Sequence, residues 1–198
     1  MTPPRTGRPR EFDPDTALDQ AMEAFWARGY ESTSVADLLE ATGLQKGSLY
    51  KAFGDKRSLY LAALRRYLDT GHERARQALC GGNSAREALT GWFECMTSGC
   101  SREGSRGCFG VNAMVELGDH DEEVAAIVGA QFKALGRLLE SVVERGQMTG
   151  EFRQDVPAAD LADFLSVFLA GLNARSRGPL PKARVKRLIA GALSALDA

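Results

Sequence analysis

Apolar side chains recur at three- and four-residue intervals along almost the whole chain, which is the spacing of one face of an α-helix. The first such run contains Leu18, Ala21, Met22 and Phe25, and acidic residues occupy the opposite positions. No segment shows the strict apolar–polar alternation that is typical of a half-buried strand. The sequence therefore predicts an all-α protein.

Capping residues, glycines and prolines divide this pattern into about nine helices. We expect helices at residues 14–28, 35–41, 45–53, 56–79, 84–99, 108–118, 121–146, 157–174 and 181–196. The polar, glycine-rich stretch 98–107 is expected to be a loop. The predicted organisation is a flexible basic arm over residues 1–11, a three-helix N-terminal domain over 12–55, and a helical C-terminal domain over 56–198. Helix 56–79 connects the two domains.

Composition excludes several classes of protein. Hydrophobic residues make up 44% of the chain and charged residues 26%, as in an ordinary globular protein. No apolar run approaches the roughly 20 residues that span a bilayer, and no signal peptide is evident. We therefore expect a cytoplasmic protein with no membrane partner. The four cysteines and two histidines lack metal-site spacing, and no nucleophile or phosphate-loop motif of an enzyme stands out. No metal, cofactor or enzymatic activity is expected.

The pair of short helices at 35–41 and 45–53 is joined by the tight turn Thr42-Gly43-Leu44. This is the spacing of a helix-turn-helix, whose second helix enters the major groove of DNA. Leu49 and Phe53 would anchor that second helix, and its polar residues would be left facing DNA. The net charge of −1 does not oppose this, because basic residues cluster locally. The alternative is a helical protein-interaction module that does not bind DNA.

The run TSVADLLEATGLQKGSLYKAFGDKRSLY resembles the DNA-binding signature of the TetR family of regulators. Thr33, the Gly43-Leu44 turn, the segment 46–50, Phe53 and Lys56 carry the resemblance, which covers about residues 12–60. It implies a transcription regulator, a repressor by family habit, that binds palindromic operator DNA as a homodimer. It also implies a variable helical C-terminal domain for an unidentified small-molecule or electrophile effector.

Roles at the DNA follow from residue type and position. Thr33 and Ser34 would hydrogen-bond phosphates, Gln45 would read an adenine edge, and Tyr50 and Lys56 would bind backbone phosphate. The basic arm would reach the minor groove, or else be a tail without contacts. The full predicted set is Thr33, Ser34, Gln45, Lys46, Gly47, Ser48, Tyr50, Lys51, Lys56, Arg5, Arg8 and Arg10.

The last two helices carry long apolar stripes, which would pair with those of a second copy to form a four-helix bundle. The alternative is that both are ordinary helices within one chain. The predicted interface consists of Leu161, Phe164, Leu165, Phe168, Leu172, Val185, Leu188, Ile189 and Leu193.

The middle helices would then enclose an effector pocket, a common place for ligands in helical proteins. The candidate walls are aromatic, sulfur-containing or polar, although such residues are more often simply core. They are Trp92, Met96, Phe109, Asn112, Glu116, Phe132 and Phe164.

Cys108 follows Arg106-Gly107 at a predicted helix start, and a helix N-terminus and a nearby cation both stabilise a thiolate. The segment GCFGVN also resembles part of a TetR subgroup that responds to electrophiles and reactive chlorine through such a cysteine. Oxidation or alkylation of Cys108 would then shift the dimer away from DNA, with Cys100 as a resolving partner. The alternative is an inert structural thiol.

Overall fold

The computed structural model describes residues 12–100 and 104–197, and all regular structure within these ranges is α-helical. The predicted all-α fold is confirmed, and the helix starts agree with the sequence-based ones to within one residue. In chain order the helices are α1 (Pro14–Arg28), α2 (Val35–Thr42), α3 (Lys46–Phe53), α4 (Lys56–Cys80), α5 (Ala85–Met96), α6 (Phe109–Leu117), α7 (Glu122–Met148), α8 (Ala158–Arg175) and α9 (Lys182–Ser194).

Helix ends are less well predicted than helix starts, and α5 shows why. We expected this helix to run to residue 99, but it ends at Met96. The Thr97 hydroxyl and the Thr97 backbone N–H both donate to the Phe93 carbonyl, at 2.6 and 2.9 Å. A threonine that binds its own preceding turn competes with continued helical hydrogen bonding, so residues 97–100 form turns instead.

The chain divides into two compact units between Ala63 and Leu64. In the first unit, the core of α1–α3 includes the start of α4. The Tyr60 ring meets the Phe25 ring edge-on at 5.1 Å between centroids, and Leu59 is buried beside it. The sequence analysis assigned all of helix 56–79 to the second domain. The structure instead shows that its first two turns complete the core of the first unit.

The second unit contains the remainder of α4 and helices α5–α9. Its core is centred on Trp92, Phe93, Leu139 and Leu165. Helix α7 packs along α8 and also contacts α5 and α6, while α5 and α8 both contact α9.

Six residues of the predicted dimer interface lie in this core and are at most 7% exposed. They are Leu161, Leu165, Leu172, Val185, Ile189 and Leu193. Their assignment to the interface is wrong, because a side chain already buried inside one chain has no surface left for a second. The helical spacing correctly identified a buried face but not what covers it.

The remaining three interface candidates keep accessible surface. Phe164 is 42% exposed on α8, beside Val167 at 71%, whereas Phe168 and Leu188 are half-buried. Val115 on α6 and Met148 on α7 are further exposed apolar side chains. An outward apolar strip on α8 therefore remains after the core has been formed.

Among the described residues, no helix is both long enough and apolar enough to cross a lipid bilayer.

Candidate DNA-binding surface and thiol site

The junction between α2 and α3 is fixed by its caps. Ser34 Oγ accepts from the Asp37 N–H at 3.1 Å, while the Asp37 carboxylate accepts from the Ser34 N–H at 2.8 Å. This is a capping box, which satisfies two otherwise open N–H groups at the start of α2. At the other end, Gly43 has φ +65°, a left-handed conformation that turns the chain directly into α3.

Asp37 is the electrostatic anchor of this corner. Hydrogen bonds from Ser34, followed by one from the Arg28 guanidinium, lower the pKa of Asp37 from 3.8 to about 2. The carboxylate therefore keeps its charge, and with it both hydrogen bonds, throughout the neutral and mildly acidic range.

Helix α3 has one buried and one exposed face. Leu49 is 1% exposed and roots the helix in the first unit, with Phe53 half-buried one turn later. Tyr50 is half-buried, and the Lys46 ammonium lies 5.7 Å from the centroid of its ring. The exposed ridge consists of Gln45, Lys46, Gly47, Ser48 and Lys51. No acidic residue lies on α3, so two cations and several hydrogen-bonding groups share one accessible strip.

The N-terminus of α3 is open to an anion. The Gln45 side chain makes no capping hydrogen bond. The N–H groups of Ser48 and Leu49 donate to the Gln45 carbonyl at 2.9 and 3.0 Å, which leaves the two preceding N–H groups directed out of the helix end. Such N–H groups, together with the helix dipole, attract phosphate. The sequence analysis did not identify this backbone feature.

Lys56 is positioned by an aromatic residue that the sequence analysis missed. Its ammonium lies 4.3 Å from the centroid of the Tyr30 ring, a cation–π contact. Asp55, just before it, accepts from the Ser58 N–H at 2.7 Å and caps α4, which lowers the pKa of Asp55. Lys56 therefore projects from an ordered helix start.

Thr33 does not occupy the position expected for a phosphate contact. Its side chain is fully buried, and its hydroxyl donates to the Gly29 carbonyl at 2.5 Å. Thr33 thus ties the end of α1 to the start of α2, and we remove it from the candidate surface. Ser34 is exposed, although its hydroxyl already takes part in the capping box. The arm residues Arg5, Arg8 and Arg10 lie outside the described residues.

The predicted effector residues separate into two groups in the second unit. Trp92 and Phe109 are buried, Met96 packs against the core, and Glu116 is half-buried. The Asn112 amide donates to the Arg106 carbonyl at 2.9 Å, and so it holds the loop before α6.

Phe132 and Phe164 are not part of this inner group. Phe132 lines a groove of about 690 Å³ between α7 and α8, together with Lys133, Arg137, Asp163 and Val167. Phe164 points outward, since 42% of it is exposed. Both were predicted as pocket walls, and that prediction is wrong for an internal pocket. Helical spacing alone did not distinguish the inner from the outer side of α7 and α8.

Cys108 and Cys100 lie in one polar region near the end of α8. Cys108 is half-buried at the N-cap of α6, and its side chain is hydrogen-bonded to the Tyr67 hydroxyl. Cys100 is buried and donates to Asn173 Oδ1 at 3.6 Å. Burial raises the pKa of the Cys100 thiol, and burial followed by the proximity of Cys108 raises that of Tyr67. Both groups therefore stay protonated near neutral pH.

Gly107 holds the loop before Cys108 against α8. Its φ is +70°, and a Cβ at this position would lie 2.8 Å from the Asn173 carbonyl oxygen. Only glycine permits so close an approach of two backbones. Asn173 and Ser176 were missed by sequence reasoning, although two polar residues at the end of an apolar helix were a signal that could have found them.

Family comparisons agree with this geometry. A family model described as bacterial regulatory proteins, tetR family, matches residues 17–63. A second, described as tetracyclin repressor-like, C-terminal domain, matches residues 85–191.

Individual proteins are similar over nearly the full chain. The HTH-type transcriptional repressor ComR of Escherichia coli (strain K12) is 35% identical over 178 residues, which are 86% of this chain and 82% of that protein. The uncharacterized HTH-type transcriptional regulator YezE of Bacillus subtilis (strain 168) is 31% identical, covering 96% of this chain and 100% of that protein. Among solved structures, a cysteine mutant of the TetR family regulator CifR, complexed with 26-base-pair double-strand operator DNA, is 35% identical. It has a TM-score of 0.81 and covers 96% of this chain and 100% of that one.

Proposed function

The chain belongs to the TetR family of bacterial transcriptional regulators, and we propose that it is a cytoplasmic repressor that binds palindromic operator DNA as a homodimer and leaves it when an effector binds. The family consists of regulators rather than enzymes, in agreement with the predicted lack of catalytic activity. The observation that carries the proposal is the exposed basic ridge of α3, rooted by Leu49. Repression is favoured over activation because ComR is itself a repressor.

At the operator, we assign Lys46, Ser48 and Lys51 to the major groove, where cations and hydroxyls read base edges. Gln45, at the start of α3, is placed to read an adenine edge. Tyr50 and Lys56 bind the phosphate backbone. The open N–H groups at the start of α3 take a phosphate as well, which fixes the register of the helix on DNA.

Gly47 tests that backbone contact. A Cβ added at Gly47 meets nothing within 4 Å, so the fold itself does not require glycine there. Gly47→Ala is expected to leave thermal stability unchanged or to raise it by about 0.5–1 kcal/mol, because alanine favours a helix. Operator affinity, measured by fluorescence anisotropy, should fall at least about tenfold, since a methyl group would displace a charge-assisted hydrogen bond worth about 1.5 kcal/mol.

Gly91 on α5 provides the matched control for this substitution. It is also an exposed helical glycine with nothing within 4 Å of an added Cβ. Gly91→Ala should give a similar change in stability without affecting DNA binding. Equal operator affinities for both alanine variants and the wild type would remove the backbone contact from the proposal.

The homodimer is proposed to form through the outward strip of α8 and the adjoining α7–α8 groove. Phe164 and Val167 supply exposed apolar surface. The groove presents Lys133 and Arg137 from α7 and Asp163 from α8. A two-fold axis brings the same surface of both chains together, so a surface that holds both signs of charge can be complementary to itself.

The effector is proposed to act in the second unit, with Cys108 as the reactive group if the effector is an electrophile. Cys108 is half-buried, and the Tyr67 hydroxyl is placed to donate to a thiolate there. Cys100 is less suited to the first attack, because burial keeps it protonated. The effector must bind the DNA-free state more tightly than the DNA-bound state in order to shift the population.

Alkylation tests the thiol route. Treatment of the wild type with N-ethylmaleimide or diamide is expected to weaken operator binding by at least about tenfold, a coupling of about 1.4 kcal/mol. Cys108→Ser should retain its operator affinity under the same treatment. The control is Cys95→Ser, which removes an exposed thiol on α5 and should behave like the wild type. Release of Cys108→Ser as readily as the wild type would show that Cys108 is structural.

A further inference from the structure

Within the described part of the second unit, two buried side-chain nitrogens have no hydrogen-bond partner: Trp92 Nε1 and His72 Nδ1. Trp92 is fully buried. Its indole N–H can only donate, and a buried donor without an acceptor costs about 1–3 kcal/mol. Native interiors rarely leave such groups unsatisfied. The tolerated cost indicates that an acceptor is supplied from outside the chain.

The two nitrogens belong to helices that follow each other along the chain. Helices α4 and α5 are joined by only residues 81–84, and a connection this short usually makes consecutive helices antiparallel neighbours. His72 and Trp92 each lie about two turns from that connection. One turn nearer to it, Ala75 and Leu89 belong to the same buried cluster. The two nitrogens are thus placed at the same level of one helix pair.

Space is available on the same face of α4. Gly71 precedes His72 and is half-buried, yet a Cβ added at Gly71 would meet nothing within 4 Å. A region with two unsatisfied polar atoms and a helix position without a filling side chain can accept a small molecule.

The charge of the surroundings limits what that molecule can be. The buried polar residues described in the second unit are Thr97, Asn173 and Ser176, all uncharged. No Lys, Arg, Asp or Glu is among the buried residues described there. A carboxylate or an ammonium ion would therefore be buried without a counter-charge, which costs several kcal/mol. A neutral molecule incurs no such penalty.

We infer that the effector site recognises a small uncharged compound through a hydrogen-bond-accepting oxygen, such as that of a ketone, an aldehyde or an amide, which accepts from Trp92 Nε1–H while His72 Nδ1 makes the second polar contact. This inference rests on the proposed effector-released repressor. It defines the chemical class of the ligand and assigns the residues that read it.

The chain has two tryptophans, so its indole N–H groups can be followed individually by ¹H–¹⁵N NMR of the full-length protein. Trp26→Phe assigns the two resonances. The probes are cyclohexanone, methylenecyclohexane, which has the same ring with a carbon in place of the oxygen, and cyclohexanecarboxylate. Cyclohexanone should move the Trp92 indole proton downfield with saturation, whereas methylenecyclohexane should move it much less and the carboxylate should leave it unchanged.

Trp92→Phe provides the corresponding change in affinity. Loss of one hydrogen bond should weaken cyclohexanone binding by about tenfold in ligand-observed NMR, while Trp26→Phe should not change it. Equal displacement of the Trp92 resonance by the ketone and the hydrocarbon would overturn the inference. So would the absence of any displacement by the ketone in the wild type, a measurement that does not depend on the stability of the variant.

Operator binding, measured with the same probes, separates this inference from the proposed function. A ketone that shifts the Trp92 resonance without changing operator affinity supports the site but contradicts effector release. A probe that releases the operator while the Trp92 resonance stays in place supports release and overturns the site.

Discussion

Replacing Lys46 and Lys51 together by alanine is expected to lower operator affinity by about three orders of magnitude while leaving the fold intact. Both side chains lie on the exposed ridge of α3 and are not part of its buried anchor. A dimer loses four cations, and a loss of about 1 kcal/mol for each sums to about 4 kcal/mol, which is roughly a thousandfold. The measurement is fluorescence anisotropy with the operator found by genomic footprinting.

The salt dependence distinguishes a lost DNA contact from a damaged fold. The slope of log affinity against log salt should become shallower by about 0.9 for each phosphate contact removed. The charge-matched control is Arg76→Ala with Arg145→Ala, two exposed cations on α4 and α7, and it should leave both affinity and slope unchanged. If the lysine variant instead retains wild-type retention on a DNA column, the chain is better described as a helical interaction module.

The second large effect is expected from Phe164→Asp combined with Val167→Asp, which should convert the dimer to monomers. These side chains are 42% and 71% exposed, so the chain folds without needing to bury them. Burying introduced carboxylates against their symmetry copies costs several kcal/mol. Because two linked binding heads exceed one head by about 10²–10⁴ in affinity, operator binding should fall by at least about a hundredfold. Sedimentation equilibrium measures the first effect and anisotropy the second.

Val115→Asp with Met148→Asp is the matched control for the dimer face. These side chains are 83% and 81% exposed on α6 and α7, so the substitution adds the same charge to equally exposed apolar positions elsewhere. The control should remain dimeric and bind the operator normally. A dimer that survives the Phe164 and Val167 substitutions would place the interface elsewhere in the chain.

The DNA-binding surface could be predicted almost completely from the sequence, because its information is local. Leu49 and Phe53 lie four residues apart, and the residues between and around them must face the other way on any helix. Gly43 supplies the left-handed turn from within the segment itself. Thr33 was the exception, because the Gly29 carbonyl that binds its hydroxyl becomes available only where α1 has ended.

The dimer face and the effector region could be predicted only in part. Leu165 and Val167 both lie on the apolar side of α8 by their spacing, yet one is buried and the other is exposed. Which side faces the core depends on where α7 and α9 pack, and these contacts join residues far apart in the chain. The same reason explains why Phe132 and Phe164 were assigned to an internal pocket.

By itself, the sequence determined the all-helical fold, the positions of its helices and the family-wide reading helix, since helical periodicity, caps and a tight turn act over a few residues. Only the tertiary structure decided which apolar stripe closes the core, which thiol is buried, and that Trp92 lacks an acceptor. Burial and hydrogen-bond satisfaction depend on neighbours brought together by packing, and a linear pattern does not specify those neighbours.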